Sequence, residues 1–289
     1  MLLIVVKILV GPLLLAGSTY AIQKWGALVG GLILGLPLIS GPVSVLLFMQ
    51  YGSRFAVEAA YGTLMGFVAA GVFCAAYASV SARRQWWQAL IVAYASFFAT
   101  AGVLSLVHLD LVWLVVLVLA VLAVLALTID APREVQAVPA PRKRVLAVRM
   151  AIAASMIVAL TAAARFLGPH VAGFLAPLPI LAAIMAATSH RKNGSEAVHG
   201  LLRGTVFGLW GGAAFFSVVV LLAGDVGPVL TYVAALVSAV LTGMFAMLVQ
   251  SAMPYALSRQ PFTLKALGQI SERLHAPHIG RLASHTARP

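Results

Sequence analysis

Residues 111–129 read LVWLVVLVLAVLAVLALTI: no charge, one Trp, and Thr128 as the only clearly polar side chain. At about 1.5 Å per helical residue, a run of this length reaches across the roughly 30 Å hydrocarbon core of a bilayer. Its polarity does not alternate, as a strand of a membrane barrel would, so it reads as a helix. Outward from it, comparable apolar runs bounded by charge or by Gly/Pro clusters lie near 2–22, 26–49, 55–80, 86–107, 146–167, 170–189, 197–223 and 227–251. The expected fold is an all-α integral membrane protein with about nine transmembrane helices.

Composition points the same way. The chain is 62% apolar and only 9% charged, with a mean hydropathy of +1.04, whereas soluble domains carry roughly 25% charged residues. Residues 1–20 lack a positive leading region, are interrupted by Lys7 and precede no A-x-A-like site, so they read as the first span rather than a signal peptide. Cys74, the only cysteine, lies inside an apolar run, so no intrachain disulfide exists.

Nineteen Lys and Arg against seven Asp and Glu give a net +12. In a soluble protein that balance would suggest a nucleic-acid partner; here most of the cations fall in short loops and the tail, where they set topology and meet anionic lipid headgroups. With nine spans, one face receives Lys24, Arg83, Arg84, Arg133, Arg142, Lys143, Arg144, Arg191, Lys192 and the tail residues Arg259, Lys265, Arg273, Arg281 and Arg288. The other receives only Arg54 and Arg165. Excess positive charge marks the cytoplasmic face, which puts the C-terminus in the cytoplasm and the N-terminus outside.

The two halves resemble each other. Glu58 to Gly66 (EAAYGTLMG) and Glu196 to Gly204 (EAVHGLLRG) share the pattern E-A-x-x-G-x-x-x-G, and Leu36-Pro37-Leu38 aligns with Ala176-Pro177-Leu178 after a two-residue shift. The expected organisation is a first repeat at 1–107 and a linker helix with a Pro-rich cytoplasmic loop at 108–145. A second repeat at 146–251 and a basic amphipathic tail at 252–289 follow. One linker span between two four-helix repeats makes the second copy enter from the opposite face, so the repeats are expected to be inverted. In the tail, Phe262, Leu264, Leu267, Ile270 and Leu274 share a helical face that suits either the cytoplasmic leaflet or a docking partner.

Helix breakers recur at matching places. Gly35, Pro37, Gly41 and Pro42 interrupt the second span beside Ser40 and Ser44, and Pro177 and Pro179 interrupt the seventh. Proline removes a backbone donor and clashes with the preceding turn, and in hydrocarbon the freed carbonyls must be buried in protein or face a wet cavity. Such breaks are either ordinary kinks or the two halves of a central substrate site. The pairs Gly62/Gly66 and Gly200/Gly204 read as close helix contacts.

Charge within the membrane is expensive and needs a reason. Glu58 and Glu196 are either coupling-proton sites, joined by His199, or simple pairs with Arg54 and Lys192 one turn away. Arg203, two turns past Glu196, either meets an anionic substrate group from the bundle interior or snorkels to the surface. Lys7 and Arg149 are anion contacts or interface anchors.

The run Val171-Ala172-Gly173-Phe174-Leu175-Ala176-Pro177-Leu178-Pro179, continued through Thr188-Ser189-His190 and Val206-Phe207-Gly208-Leu209-Trp210, resembles the small GlpM-like proteins of bacterial inner membranes. The resemblance, clearest over 168–212, implies a four-span unit like one repeat here, a bacterial inner-membrane location and a link to exopolysaccharide production. It transfers no functional residue.

Three classes of function compete. The leading expectation is a secondary transporter or flippase for an anionic or amphiphilic, envelope-related substrate, with Pro37, Ser40, Ser44, Pro177, Pro179 and Arg203 at the substrate site. The second is a non-transporting scaffold of a polysaccharide or lipid-processing machine. An enzyme is disfavoured: there is no H-E-x-x-H, G-x-S-x-G or Walker A loop, and the three aspartates fall in loops. No metal, cofactor or nucleic acid is expected, and a homo-oligomer is compatible with the sequence.

Overall fold

A computed structural model of the chain describes residues 32–33, 36–107, 109–130 and 143–258. Among them there are no strands, only seven helices: α1 (Ser40–Tyr51), α2 (Ser53–Ser81), α3 (Trp86–Leu104), α4 (Leu111–Thr128), α5 (Lys143–Leu175), α6 (Ile180–Leu222) and α7 (Pro228–Ser258). Six stretches among the described residues are long and apolar enough to cross a membrane: 53–81, 86–104, 111–128, 158–175, 194–222 and 228–250. The protein is therefore all-helical and multi-pass. Backbone contacts separate Met1–Leu248 from Val249–Pro289; of the latter, the described residues 249–258 are helical. The expected first span with Lys7, and the apolar tail face from Phe262 to Leu274, lie outside the described residues.

Two of the expected spans are not continuous helices. The run 26–49 breaks at 36–39 and resumes as α1, whose 12 residues rise only about 18 Å, too short to cross alone. The run 170–189 breaks at 176–179. Long helices are also interrupted at Gly168 (φ 76°) and Gly194 (φ 81°), and α1 is separated from α2 by Gly52 (φ 86°). Only glycine adopts the extended, positive-φ backbone found at these three points without strain.

The two proline breaks share a hydrogen-bond pattern. At the first, Leu38 N–H donates to Leu36 C=O at 2.7 Å and Gly41 N–H to Pro37 C=O at 2.9 Å. At the second, Ile180 N–H donates to Leu178 C=O and Ala183 N–H to Pro179 C=O, both at 2.8 Å. Each proline is thus the centre of a γ-turn, as the φ −81°, ψ 52° of Pro179 requires; α6 follows Pro179 directly, and α1 begins three residues after Pro37. Pro37 matches Pro179, and Gly52 matches Gly194, each 142 residues on.

That shift also aligns Gly52-Ser53 with Gly194-Ser195, Gly62-Thr63 with Gly204-Thr205, and Gly66 with Gly208. It differs from the register of the shared E-A-x-x-G-x-x-x-G pattern. In the backbone register the counterpart of Pro37 is Pro179 rather than Pro177, Arg203 matches Tyr61 rather than Met65, and Glu58 matches Gly200 rather than Glu196. Short glycine motifs repeat within a helix every four residues, so the two registers differ by one turn.

Helices α2 and α6 form the centre. Their apolar windows are 72% and 61% buried, against 17–28% for the other spans, and α2 packs on α1, α3, α4, α5 and α6. The outer helices each bury a single stripe at four-residue spacing: Ala89, Ala93 and Phe97 in α3; Leu114, Val118, Leu122 and Ala126 in α4; Thr231, Ala235 and Ala239 in α7. Their remaining faces expose Val, Leu and Phe, as suits a lipid solvent.

Helices α2 and α6 run antiparallel. Phe67 of α2 meets Phe216 of α6 at a ring separation of 5.7 Å, while Ser81, at the far end of α2, lies 3.1 Å from His199 near the Gly194 break. Helix α4 runs along α2 and against α6. At its start, Tyr61 of α2 hydrogen-bonds the Leu109 carbonyl and accepts from Leu109 N–H. At its end, Arg203 of α6 donates to the Ile129 carbonyl at 3.1 Å. The register-matched residues Tyr61 and Arg203 thus hold opposite ends of one helix.

Candidate functional site

Glycine brings the second proline break against α2. With lipid tails as apolar as leucine, membrane helices associate through close packing rather than by escape from water. A Cβ at Gly66 would lie 2.5 Å from the Pro177 ring and 2.6 Å from Phe174 O, and one at Gly62 would meet the His170 carbonyl. Thr63 Oγ adds a hydrogen bond to Gly173 C=O at 3.0 Å. That carbonyl also accepts from Ala176 N–H at 3.1 Å, in place of the donor that Pro177 lacks. The first break leans on α6 in turn: Leu36 meets the backbone position of Gly211 and Phe215 packs over Gly41.

Between the breaks lies a cavity of about 50 Å³, room for a few water molecules. Its walls are Leu36, Leu38, Ile39 and Ser40 from the first break, Ala176–Pro179, Leu181 and Ala182 from the second, and Phe67, Ala70, Cys74, Thr205 and Leu209 from α2 and α6. Side chains there are mostly apolar, so the polar character comes from backbone. Neither α1 nor α6 has a side-chain cap at its first turn; Gly41, Val43, Ile180 and Ala183 N–H are bonded within the breaks, which leaves the first-turn N–H groups of the cavity-lining Ser40, Leu181 and Ala182 at two positive helix ends. Pro42, in the first turn of α1, has no N–H to offer the Leu38 carbonyl.

The expected site residues divide. Ser40, Pro177 and Pro179 line the cavity, and Pro37 sits between its lining neighbours Leu36 and Leu38. Ser44 is turned instead to Tyr232, with 2.8 Å between the hydroxyls. Arg203 is only 5% exposed, so it does not snorkel, but it is spent on Ile129 C=O and Phe207 rather than on the cavity. Glu58 is half exposed and pairs with Arg54 at 3.3 Å, and Glu196 is exposed. Nothing is described of the Arg149 side chain.

His199 belongs to a second, polar cluster at the end of α2. Ser81 Oγ donates to the Ala78 carbonyl at 2.8 Å, and His199 Nε2 lies 3.1 Å from both Ser81 Oγ and that carbonyl. Because the acceptors have no proton to give, Nε2 carries the hydrogen, and Nδ1 is left facing Asp130 Oδ2 at 3.9 Å. His190 Nδ1 lies 3.2 Å from Tyr77 Oη. Burial holds the His190 ring below its ordinary pKa of 6.5, a hydrogen bond to the Ser81 backbone opposes this, and the His199 charge adds to it. Sequence reasoning missed Tyr77, Ser81, His190 and Asp130. The available signal was the four-residue spacing of Tyr77 and Ser81 at the end of an apolar stretch of α2.

Among the described residues no cluster of three His, Cys, Asp or Glu side chains could hold a metal. No protein-family model, curated protein or solved structure matches this chain.

Proposed function

We propose that this chain is a secondary transporter or flippase whose substrate passes through the cavity between the two proline breaks. The observation that carries the reading is that both breaks, alike in hydrogen-bond pattern, meet at one cavity with two uncapped helix N-termini turned to it. Half-helix N-termini at mid-depth attract anionic groups, and the surrounding walls are apolar, so the substrate is anionic or amphiphilic. The antiparallel course of α2 and α6, matched in register, supports two inverted repeats, the arrangement that lets one site face each side in turn. The charge distribution and the GlpM-like run support a bacterial inner membrane with the C-terminus in the cytoplasm.

The native Cys74 lines the cavity and is the chain's only thiol. In sealed vesicles of known orientation, a small charged, membrane-impermeant methanethiosulfonate added outside should modify Cys74 in right-side-out and in inverted preparations alike. Modification from neither face would favour the scaffold, and from one face only would rule out alternating access.

A further inference from the structure

We infer that the group this cavity recognises is a carboxylate, held by the Ser40 hydroxyl and by the backbone N–H groups of Ser40, Leu181 and Ala182. The inference rests on the transport reading and names the substrate class of the same site: a small organic acid bearing a single negative charge.

Ser40 carries the argument. It is 4% exposed and lines the cavity, and among the described residues its hydroxyl has no hydrogen-bond partner. Every other buried Ser or Thr among them is engaged, Ser44 with Tyr232 and the rest with a carbonyl one turn back. The carbonyls that Ser40 could reach back to, Leu36 and Pro37, already accept from Leu38 and Gly41 N–H. A buried hydroxyl without a partner is costly, so this one is a donor held for what enters the cavity.

Backbone supplies the other donors. Ser40 N–H at the start of α1, and Leu181 and Ala182 N–H at the start of α6, have no acceptor among the described residues. Ser40 and Ala182 are register equivalents, each three residues past the proline at the centre of its break. Each half therefore offers an N–H at the same place, while only the first half adds a hydroxyl.

Charge, donors and volume agree on the ligand. A helix N-terminus carries about half an elementary charge, so the pair carries about one and suits a singly charged group. One hydroxyl and three N–H groups match the roughly four lone-pair positions of an ionised carboxylate. At about 10–15 Å³ for each water-sized occupant, a cavity of about 50 Å³ takes a carboxylate and the first carbons of its chain, which then meet Leu38, Leu178, Leu181 and Phe67. A phosphodiester, substituted on both sides of its phosphorus, exceeds that space, and a phosphate monoester carries about 1.5–2 negative charges.

The test is isothermal titration calorimetry on the full chain in lipid nanodiscs at pH 8, with propionate, the neutral isostere propionamide and methylphosphonate as probes and empty nanodiscs as the blank. Wild type should bind propionate about tenfold or more tightly than either of the others. Ser40→Ala should weaken propionate about tenfold or more, the loss of one hydrogen bond to a charged group. Adding Ala182→Ser to Ser40→Ala places a hydroxyl at the equivalent position of the second break and should restore most of that affinity, which a packing defect at Ser40 would not allow. The carboxylate assignment is overturned by propionate heats no larger than the blank, by propionamide or methylphosphonate binding as tightly as propionate, or by equal propionate affinity in wild type and Ser40→Ala. A loss in Ser40→Ala that Ala182→Ser does not repair overturns the role of the hydroxyl. Each of these leaves Cys74 labelling from both faces, and hence the transport reading, untouched; labelling from one face or neither, with propionate still bound, removes transport and keeps the site.

Discussion

Replacing Gly66 by alanine tests the contact on which the cavity's second wall rests. The added methyl would stand 2.5 Å from Pro177 Cγ and 2.6 Å from the Phe174 carbonyl, against the 3.4 Å at which ordinary contact begins. One neighbour is a ring locked to its backbone and the other is backbone, so neither can rotate away, and the helices must separate by about 0.9 Å, the difference between 3.4 and 2.5 Å. Overpacking of this kind costs about 1–3 kcal/mol. Alanine also recovers up to about 1 kcal/mol of helix propensity, which would mask part of the loss. Gly102, with nothing within 4 Å, offers the reference. Unfolding in mixed detergent should find Gly66→Ala less stable than Gly102→Ala by about 1–3 kcal/mol. If the two variants unfold within about 0.5 kcal/mol of each other, α2 and the second break do not touch as described.

Two further outcomes are expected. Gly52→Ala and Gly194→Ala should each cost about 1–3 kcal/mol in the same unfolding assay through backbone strain alone, since no atom lies within 4 Å of either added methyl; a neutral result at both would mean the breaks are not held at positive φ. Ser44→Ala and Tyr232→Phe, alone and together, should give a coupling energy of about 0.5–1.5 kcal/mol in a double-mutant cycle, and strictly additive losses would remove the α1 to α7 hydrogen bond from the account.

The membrane class and most spans were legible because hydrocarbon imposes a length and a polarity that few soluble sequences imitate. The breaks were legible too, since Pro37, Pro177 and Pro179 cannot supply the helical donor whatever surrounds them. What sequence could not fix was register. Tyr61 and Arg203 perform the same task on α4 with unlike chemistry, so no residue comparison pairs them, while the repeated glycines of α2 and α6 allow alignments one turn apart. The polar cluster at the end of α2 was hidden for another reason. His190, Ser81 and Asp130 sit on three elements far apart in sequence, and only the antiparallel pairing of α2 with α6 brings them together.

The exchange of supports between the halves bears on how such a site could move. The second break is seated on α2 through Gly62, Gly66 and Thr63, whereas the first touches α6 through Leu36, Gly41 and Phe215. Each half of the cavity wall is therefore carried by the long helix of the other half. On the transport reading, a rotation of α2 against α6 would carry each break with the helix that seats it. Helix α4, tied to α2 at Leu109 and to α6 at Ile129, bridges the two and limits that rotation. The end where α4 meets Arg203 is also where His190 and His199 contact α2.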